Sequence, residues 1–461
     1  MSLVVTSTYE LNRVVAPRLP ASPVEYDSRF MEQYSNVLRL YFNQLDNLLG
    51  QLMASDTTIP VSIGGTNLDA FGRVRVSNPL TLFDSSHRYA DNNLWASSIT
   101  GTAAATFSAD EGLVNLTVGS ASGDQIIRET IKVFSYQPGK SLLVMNTFVF
   151  GTAKAGLRQR VGYYGAANGI YFERDGTTNY MVERSSVTGS VVNTRVAQAD
   201  WNQDPMDGTG PSGLTLDSSK AQILYMDVEW LGLGTVRTGF IINGAFVPVH
   251  NFDHANLVTT TYITTASLPL RYEMTNTAAT TGASTLKQVC STVISEGGYE
   301  LRGAQLTAGN TITSPTTLTT AGTFYPIVSI RLKTTRLDAI VILTAISILG
   351  ITNNANYKWE VVASGTTTGG TWVSAGTNSG VEYNITGTAF SSTGGRVLAT
   401  GFFQGSNQGS NSVDILKEAL FASQLERNPF TATAYELTLA CTGASNGNQV
   451  LGSLDWEEIS R

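Results

Sequence analysis

Charge is scarce in this chain of 461 residues: only 14% are Asp, Glu, Lys or Arg, where an average soluble domain has about 25%. The balance is negative, −7 with a pI near 5.1, and no run of Lys or Arg occurs. Nucleic acid is therefore excluded as an expected partner, because binding to phosphates needs clustered cations. Cysteine is rarer still. Cys290 and Cys441 cannot build a disulfide framework and read as two free, buried thiols, a single bridge between them being the alternative. The longest apolar run, Leu337 to Leu349, contains Asp338 and Thr344 and falls short of the ~20 residues that cross a bilayer, so no membrane partner is expected. The start of the chain lacks the basic segment and apolar core of a signal peptide, which points to folding in a cytoplasm. Also missing are a nucleophile elbow, a Walker glycine loop and a dinucleotide fingerprint, so the chain reads as non-enzymatic and free of cofactors.

What is present is hydrophobic residues at 42%, 44 glycines, and much Thr, Ser, Ala and Asn, arranged in short strand-like runs between turns. That is a mainly β composition rather than disorder. One stretch departs from it. From Arg29 to Met53 the apolar residues Met31, Tyr34, Leu38, Tyr41, Leu45, Leu48 and Leu52 alternate spacings of three and four, the a/d seam of a coiled-coil-like helix. Ser22, Pro23 and Glu25 have the form of a capping box, which allows a start at Pro23. The flanks of the seam carry Phe30, Val37, Phe42 and Leu49 where Glu and Lys are usual, so the stripe is too wide for a two-stranded coil in water. Three or more copies, or another protein, are expected to cover it; folding back onto the β region is the alternative. Glu32, Asn36, Arg39, Asn43, Asp46 and Asn47 make the polar face.

The pattern divides the chain into an extended arm and helix (1–56), a jelly-roll-like β-sandwich (57–290) and a second, distal β domain (300–461). In the arm, Pro17, Pro20 and Pro23 disfavour a helix before the cap. At Thr57 to Gly65 the period shifts towards two, and Gly72 to Val76 reads as a strand. Leu142 to Phe150 reads as a mostly buried strand. Two hairpins are written by their turns: Ile170–Arg174 and Tyr180–Arg184 about Asp175-Gly176, and Val236–Ile242 and Ala245–Val249 about Asn243-Gly244. Asp200 to Leu214, with Pro205, Pro211 and three glycines, reads as a long surface loop. Thr275–Ser284 and Thr307–Thr323, rich in Thr, Ala and Gly, mark a domain boundary. Distal strands are expected at Leu337–Leu349, Trp359–Val362, Thr371–Val373 and Tyr435–Ala440, and a second helix at Val413–Leu425, stopped by Asn428-Pro429.

Candidate chemistry is sparse. His250, Asp253 and His254 invite a metal reading, but the spacing suits a helix and no further ligands stand near, so a turn with Asp253 bonded to local backbone is preferred and no metal is expected. Asp227 and Glu229, two apart in a strand-like run, would share a face in the manner of glycosidase carboxylates. Asp204 and Asp207 have a weak calcium spacing. Tyr163, Tyr164, Trp201 and Trp372 are candidates for stacking on sugars, although core or subunit contacts are the commoner use.

Two blocks of sequence resemble a known family. APRLP at Ala16–Pro20 with NVLRLYFNQLDNLLGQL at Asn36–Leu52 resembles the N-terminal segment of virion proteins from tailed phages of marine cyanobacteria and other marine bacteria. FGRVRVSNP at Phe71–Pro79, the segment Glu229–Phe252 and LPLRYEM at Leu268–Met274 are similar to a β-rich domain of the same kind of structural and fibre-like proteins. The resemblance implies a cyanophage-type virion structural protein: a fibre, knob, capsid decoration or tail-associated part, assembled in the host cytoplasm and anchored through its N-terminus. Its expected partners are itself, as a homotrimer, other virion proteins through the arm and helix, and a host surface glycan through the distal domain. A tailspike-like glycan-degrading enzyme using Asp227 and Glu229, or a carbohydrate-binding adhesin, is the alternative.

Overall fold

The computed structural model describes residues 27–55, 78–405, 411–413 and 423–460, with side chains given outside 46–55, 411–413 and 460. The chain divides into two units, Met1–Val76 and Ser77–Arg461. In the first, one α-helix runs over Ser28–Ser55. Asp27 caps it: its carboxylate accepts the Arg29 amide at 2.8 Å and its carbonyl the Met31 amide at 3.1 Å, satisfying donors that a first turn leaves open. The capping box at Ser22, the arm, and the strand readings at Thr57–Gly65 and Gly72–Val76 lie outside the described residues.

The second unit is built of antiparallel sheets. Among the described residues its N-terminal part has an eight-stranded and a seven-stranded sheet. In the first, Leu142–Val149 lies between Gln222–Val228 and Ser284–Ser295, and the edge hairpin is Val236–Ile242 with Ala245–Phe252. In the second, the order is Val192–Ala197, Thr178–Ser185, Gly169–Asp175, Leu157–Tyr164, Leu270–Asn276, Gln125–Thr130 and Trp95–Thr100. Both expected hairpins are present. At Asn243-Gly244 the φ values of 52° and 80° are those a two-residue hairpin turn demands. The sheets meet face to face through aromatic side chains: Phe148 and Phe150 of one contact Phe172 of the other at 6.0 and 5.4 Å between ring centres. Tyr272 crosses the core to Ser291 at 2.9 Å. Leu142–Val149 alternates between buried and half-buried positions.

Thr275–Ser284 proves to be an internal connection, for Leu270–Asn276 and Ser284–Ser295 belong to the two sheets of this same sandwich. A second core gathers most of the remaining strands into a five-stranded and a seven-stranded sheet among the described residues, and Arg427–Asn428 pairs with Thr433–Ala434 in a separate two-stranded ladder. The apolar run becomes the strand Ile340–Gly350, paired with Asn448–Ser460. The helix expected at Val413–Leu425 is absent at both described ends. Val413 pairs as a strand residue with Ile346, and Gln424 bridges to Ile342; residues 414–422 lie outside the description.

The two sandwiches are joined by more than the chain. Val133 packs with Ile340 and Ile342, the Arg427 amide donates to the Ile131 carbonyl at 3.0 Å, and Gln424 Nε2 donates to the Val133 carbonyl at 2.8 Å. Lys132 and Glu426 lie 3.7 Å apart at the same seam.

Candidate functional site

Of the helix side chains proposed to mediate association, none that is described is buried. Met31 and Phe42 are exposed at 45% and 58%; Phe30, Tyr34, Val37, Leu38, Tyr41 and Leu45 are half-buried. Leu40, outside the heptad pattern, is 61% exposed and lies on the polar side of the helix. Phe30 and Tyr34 stack one turn apart. On the polar face Arg39 donates to Asn36. Leu48, Leu49 and Leu52 lie on the helix, with side chains outside the description, and no second α-helix is described.

The other concentrated chemistry, which the sequence reading missed, lies on the outer face of the seven-stranded sheet. Strand alternation there sends apolar residues into the core and charged residues outward. Arg160 stands opposite Glu173 on one neighbouring strand and Glu273 on the other, and bonds both at 2.5 and 2.9 Å. Glu173 also meets Arg195, which reaches Asp175 at 2.9 Å. Arg271 faces Glu129 across its ladder and bonds it at 2.7 Å. Between these ions lie Tyr164 and Tyr171, both fully buried, with Arg184 over the two rings at 5.4 and 5.2 Å. Burial by itself lowers the Arg160 guanidinium, but Glu273, the two tyrosines and Glu173 outweigh it and hold the pKa above its ordinary value. Desolvation pushes the Tyr164 phenol well up. A signal existed: in LRQRVGYY and GIYFERD the charged and aromatic residues recur at every second position.

The remaining candidates separate. His250 Nδ1 accepts the Asn202 amide at 3.3 Å, whereas His254 sits between the Gly234 carbonyl at 2.6 Å and Glu183 at 2.7 Å, stacked on Tyr262. Burial lowers the His254 pKa, but the bonds to Glu183 and Gly234 outweigh it and leave a net rise. Asp253 accepts the Thr235 hydroxyl instead of local backbone. No group of three or more metal-ligating side chains occurs among the described residues. Asp227 pairs with Arg237, and burial raises its pKa despite that partner. Glu229 does not share its strand, which ends at Val228; the chain turns there, with Gly234 N donating to Trp230 O at 2.7 Å. Asp204 accepts the amides of Met206 and Ser212, both at 2.7 Å, and Asp207 that of Thr209 at 2.9 Å, so both organise the loop. Tyr163, Tyr164 and Trp201 are buried, which removes them as sugar platforms, and Trp372 lies beneath Arg331 at 3.9 Å. Cys441 is buried but Cys290 is exposed, and both are free.

These features define a mainly β protein of two successive antiparallel sheet pairs, with an amphipathic helix as a separate unit. No family model and no curated protein matches the chain. Among solved structures, the carbohydrate recognition domain of Emp47p aligns at 10% identity with a TM-score of 0.31, over 50% of this chain and 99% of its own. An endo-β-1,4-glucuronan lyase from the fungus Trichoderma reesei aligns at 11% and 0.32, over 46% and 95%. A Bacteroides ovatus GH16 protein of a mixed linkage glucan locus aligns at 10% and 0.32, over 46% and 99%. At TM-scores this low the likeness bears on neither activity nor ligand.

Proposed function

We propose that this chain is a non-enzymatic structural subunit of a phage particle, which self-associates as a trimer through the helix Ser28–Ser55 and carries its sandwiches as the exposed part. The observation that supports it is the helix surface: Met31 and Phe42 are exposed, and the seam residues beside them are covered only in part. A contiguous apolar surface of this kind calls for a protein partner. The flanks Phe30, Val37 and Phe42 favour more than one neighbouring helix, and the resemblance of Ala16–Pro20 and Asn36–Leu52 to phage virion segments favours the particle as the setting. Five to seven side chains contributing ~1.5–3 kcal/mol each give on the order of 10 kcal/mol per subunit before association entropy is deducted.

The decisive measurement is the mass in solution of the full chain and of a version lacking residues 1–56. A trimer that becomes monomeric on truncation supports the reading; a monomeric full chain refutes it. Copy number in the purified particle then separates the positions, with hundreds expected for a capsid decoration and about a dozen for a vertex or tail part. A glycan depolymerase acting through Asp227 and Glu229 has less support, because one carboxylate is tied to Arg237 and the other lies beyond the strand.

A further inference from the structure

Where the two sandwiches meet, a cleft of about 310 Å³ opens between the turn Gly165–Asn168 and segment Thr265–Pro269 of the first and the loop Thr334–Asp338 of the second. At its floor a single carboxylate serves two guanidinium groups. Glu129, 2% exposed, accepts Arg271 Nε at 2.7 Å on one oxygen and Arg427 Nη2 at 2.9 Å on the other. The three charges sum to one positive unit. The next acid, Glu273, is 4.0 Å from Arg271 and already shared with Arg158 and Arg160. The remaining guanidinium N–H groups of Arg427 have no protein partner among the described residues.

We propose that this cleft binds one polyhydroxylated monocarboxylate, of the chemical class of a uronic acid residue. A carboxylate on the open edges of Arg271 and Arg427 makes charge-assisted hydrogen bonds with planar donors that Glu129 already holds in place. The opposite rim supplies the complement for hydroxyl groups: Thr334 and Thr335 are exposed and carry hydroxyls that both donate and accept, and Asp338, also exposed, accepts. Asp338 also sets a limit on charge, since a dianion gains from the arginines but is repelled at the rim. Leu337, half-buried, offers apolar surface to the C–H side of a ring. No aromatic residue lines the cleft, so a neutral sugar has neither a stacking platform nor a partner for the arginines. The volume lies at the small end of the ~300–1,000 Å³ of ligand pockets, which suits one ring. The inference is independent of the assembly reading: the site is complete within one chain and holds whatever the oligomeric state.

The test is titration of the full-length protein with sodium D-glucuronate, methyl glucoside and inorganic phosphate, followed by calorimetry and saturation-transfer NMR. Glucuronate is expected to bind at one site per chain, with methyl glucoside at least tenfold weaker and phosphate unable to displace it. Arg427→Gln removes a charged donor and should weaken glucuronate by roughly 10–100-fold. Because Arg427 also bridges the sandwiches, Thr335→Trp is the second variant: it changes an exposed residue, should leave the melting temperature unchanged, and should abolish binding by filling the cleft. Absence of glucuronate binding, full binding by Thr335→Trp, or displacement by phosphate at equal concentration overturns the proposal.

Discussion

The helix and the first sandwich invert each other. On the helix the apolar residues Met31, Leu40 and Phe42 are outside, whereas on the seven-stranded sheet the ions Arg160, Glu173 and Glu273 are inside, at 7%, 0% and 3% exposure. Each arrangement is costly unless partnered, and the ions of the sheet have their partners on neighbouring strands. Arg160, Glu173, Glu273, Arg271 and Glu129 each stand opposite a group of the other sign across a strand ladder. The helix has no residue in any of the hydrophobic cores among the described residues. An isolated helix gains little from propensity alone, so an apolar stripe of this width needs a covering surface.

The largest way to break the contrast is to make the helix self-sufficient. Leu38→Asp with Leu45→Asp puts charge into the seam and should remove most of the roughly 10 kcal/mol of gross association energy, dispersing the oligomer in sedimentation while the β circular dichroism stays intact. Next in size is damage to the sheet face. Glu173→Gln leaves Arg160 with Glu273 and Arg195 with Asp175, so the loss should lie near the lower end of the range for a broken buried pair, about 3 kcal/mol. Urea unfolding checks it, the midpoint falling at constant slope.

Smaller is an opposition between two histidines. Burial, helped by the Arg128 charge, lowers buried His87 to about 4. Its folded value is below the unfolded ~6.5, so its contribution is present above pH 6.5 and is lost as pH falls towards 4. His254 has the opposite sign: its folded value is raised, so its contribution is full below pH 6.5 and is lost as pH rises from there through the folded value. His254→Gln should therefore narrow the stability difference from wild type as pH is taken from 5 to 8, and His87→Gln should weaken the acid dependence; thermal melts across that range measure both. The smallest effect is on reactivity alone. Native protein at pH 8.5 should lose one of its two thiols to iodoacetamide, Cys290, while Cys441, pushed up to about 12 by burial, reacts only after unfolding.

Local chemistry explains what could be read from the sequence. The helix follows from a period of three and four, and the hairpins from Asp175-Gly176 and Asn243-Gly244, because turn and helix preferences act within a few residues. What escaped depends on distant partners. Arg160 meets Glu273 across 113 positions, and Arg427 meets Glu129 across 298, so the alternation in LRQRVGYY announces a charged face without saying which acids complete it. Cys290 reads from the sequence as a free, buried thiol. A register shift between Gln288 and Ser291 against Leu142–Val149 interrupts the alternation and leaves it outside. Glu229 was placed beside Asp227 by simple counting, which fails where the strand stops.

The pairing of Asn448–Ser460 also sets an order of events during synthesis. This strand lies between Ala304–Gly309 and Ile340–Gly350, so the five-stranded sheet lacks a central member until residues near 460 have left the ribosome. The described strands of the first sandwich are complete by Ser295. Its N-terminal half can thus be in place while the distal strands wait, and Ile340–Gly350, with its buried isoleucines, is for that interval an apolar ribbon without its central neighbour. A chaperone acting on this protein would find its target there.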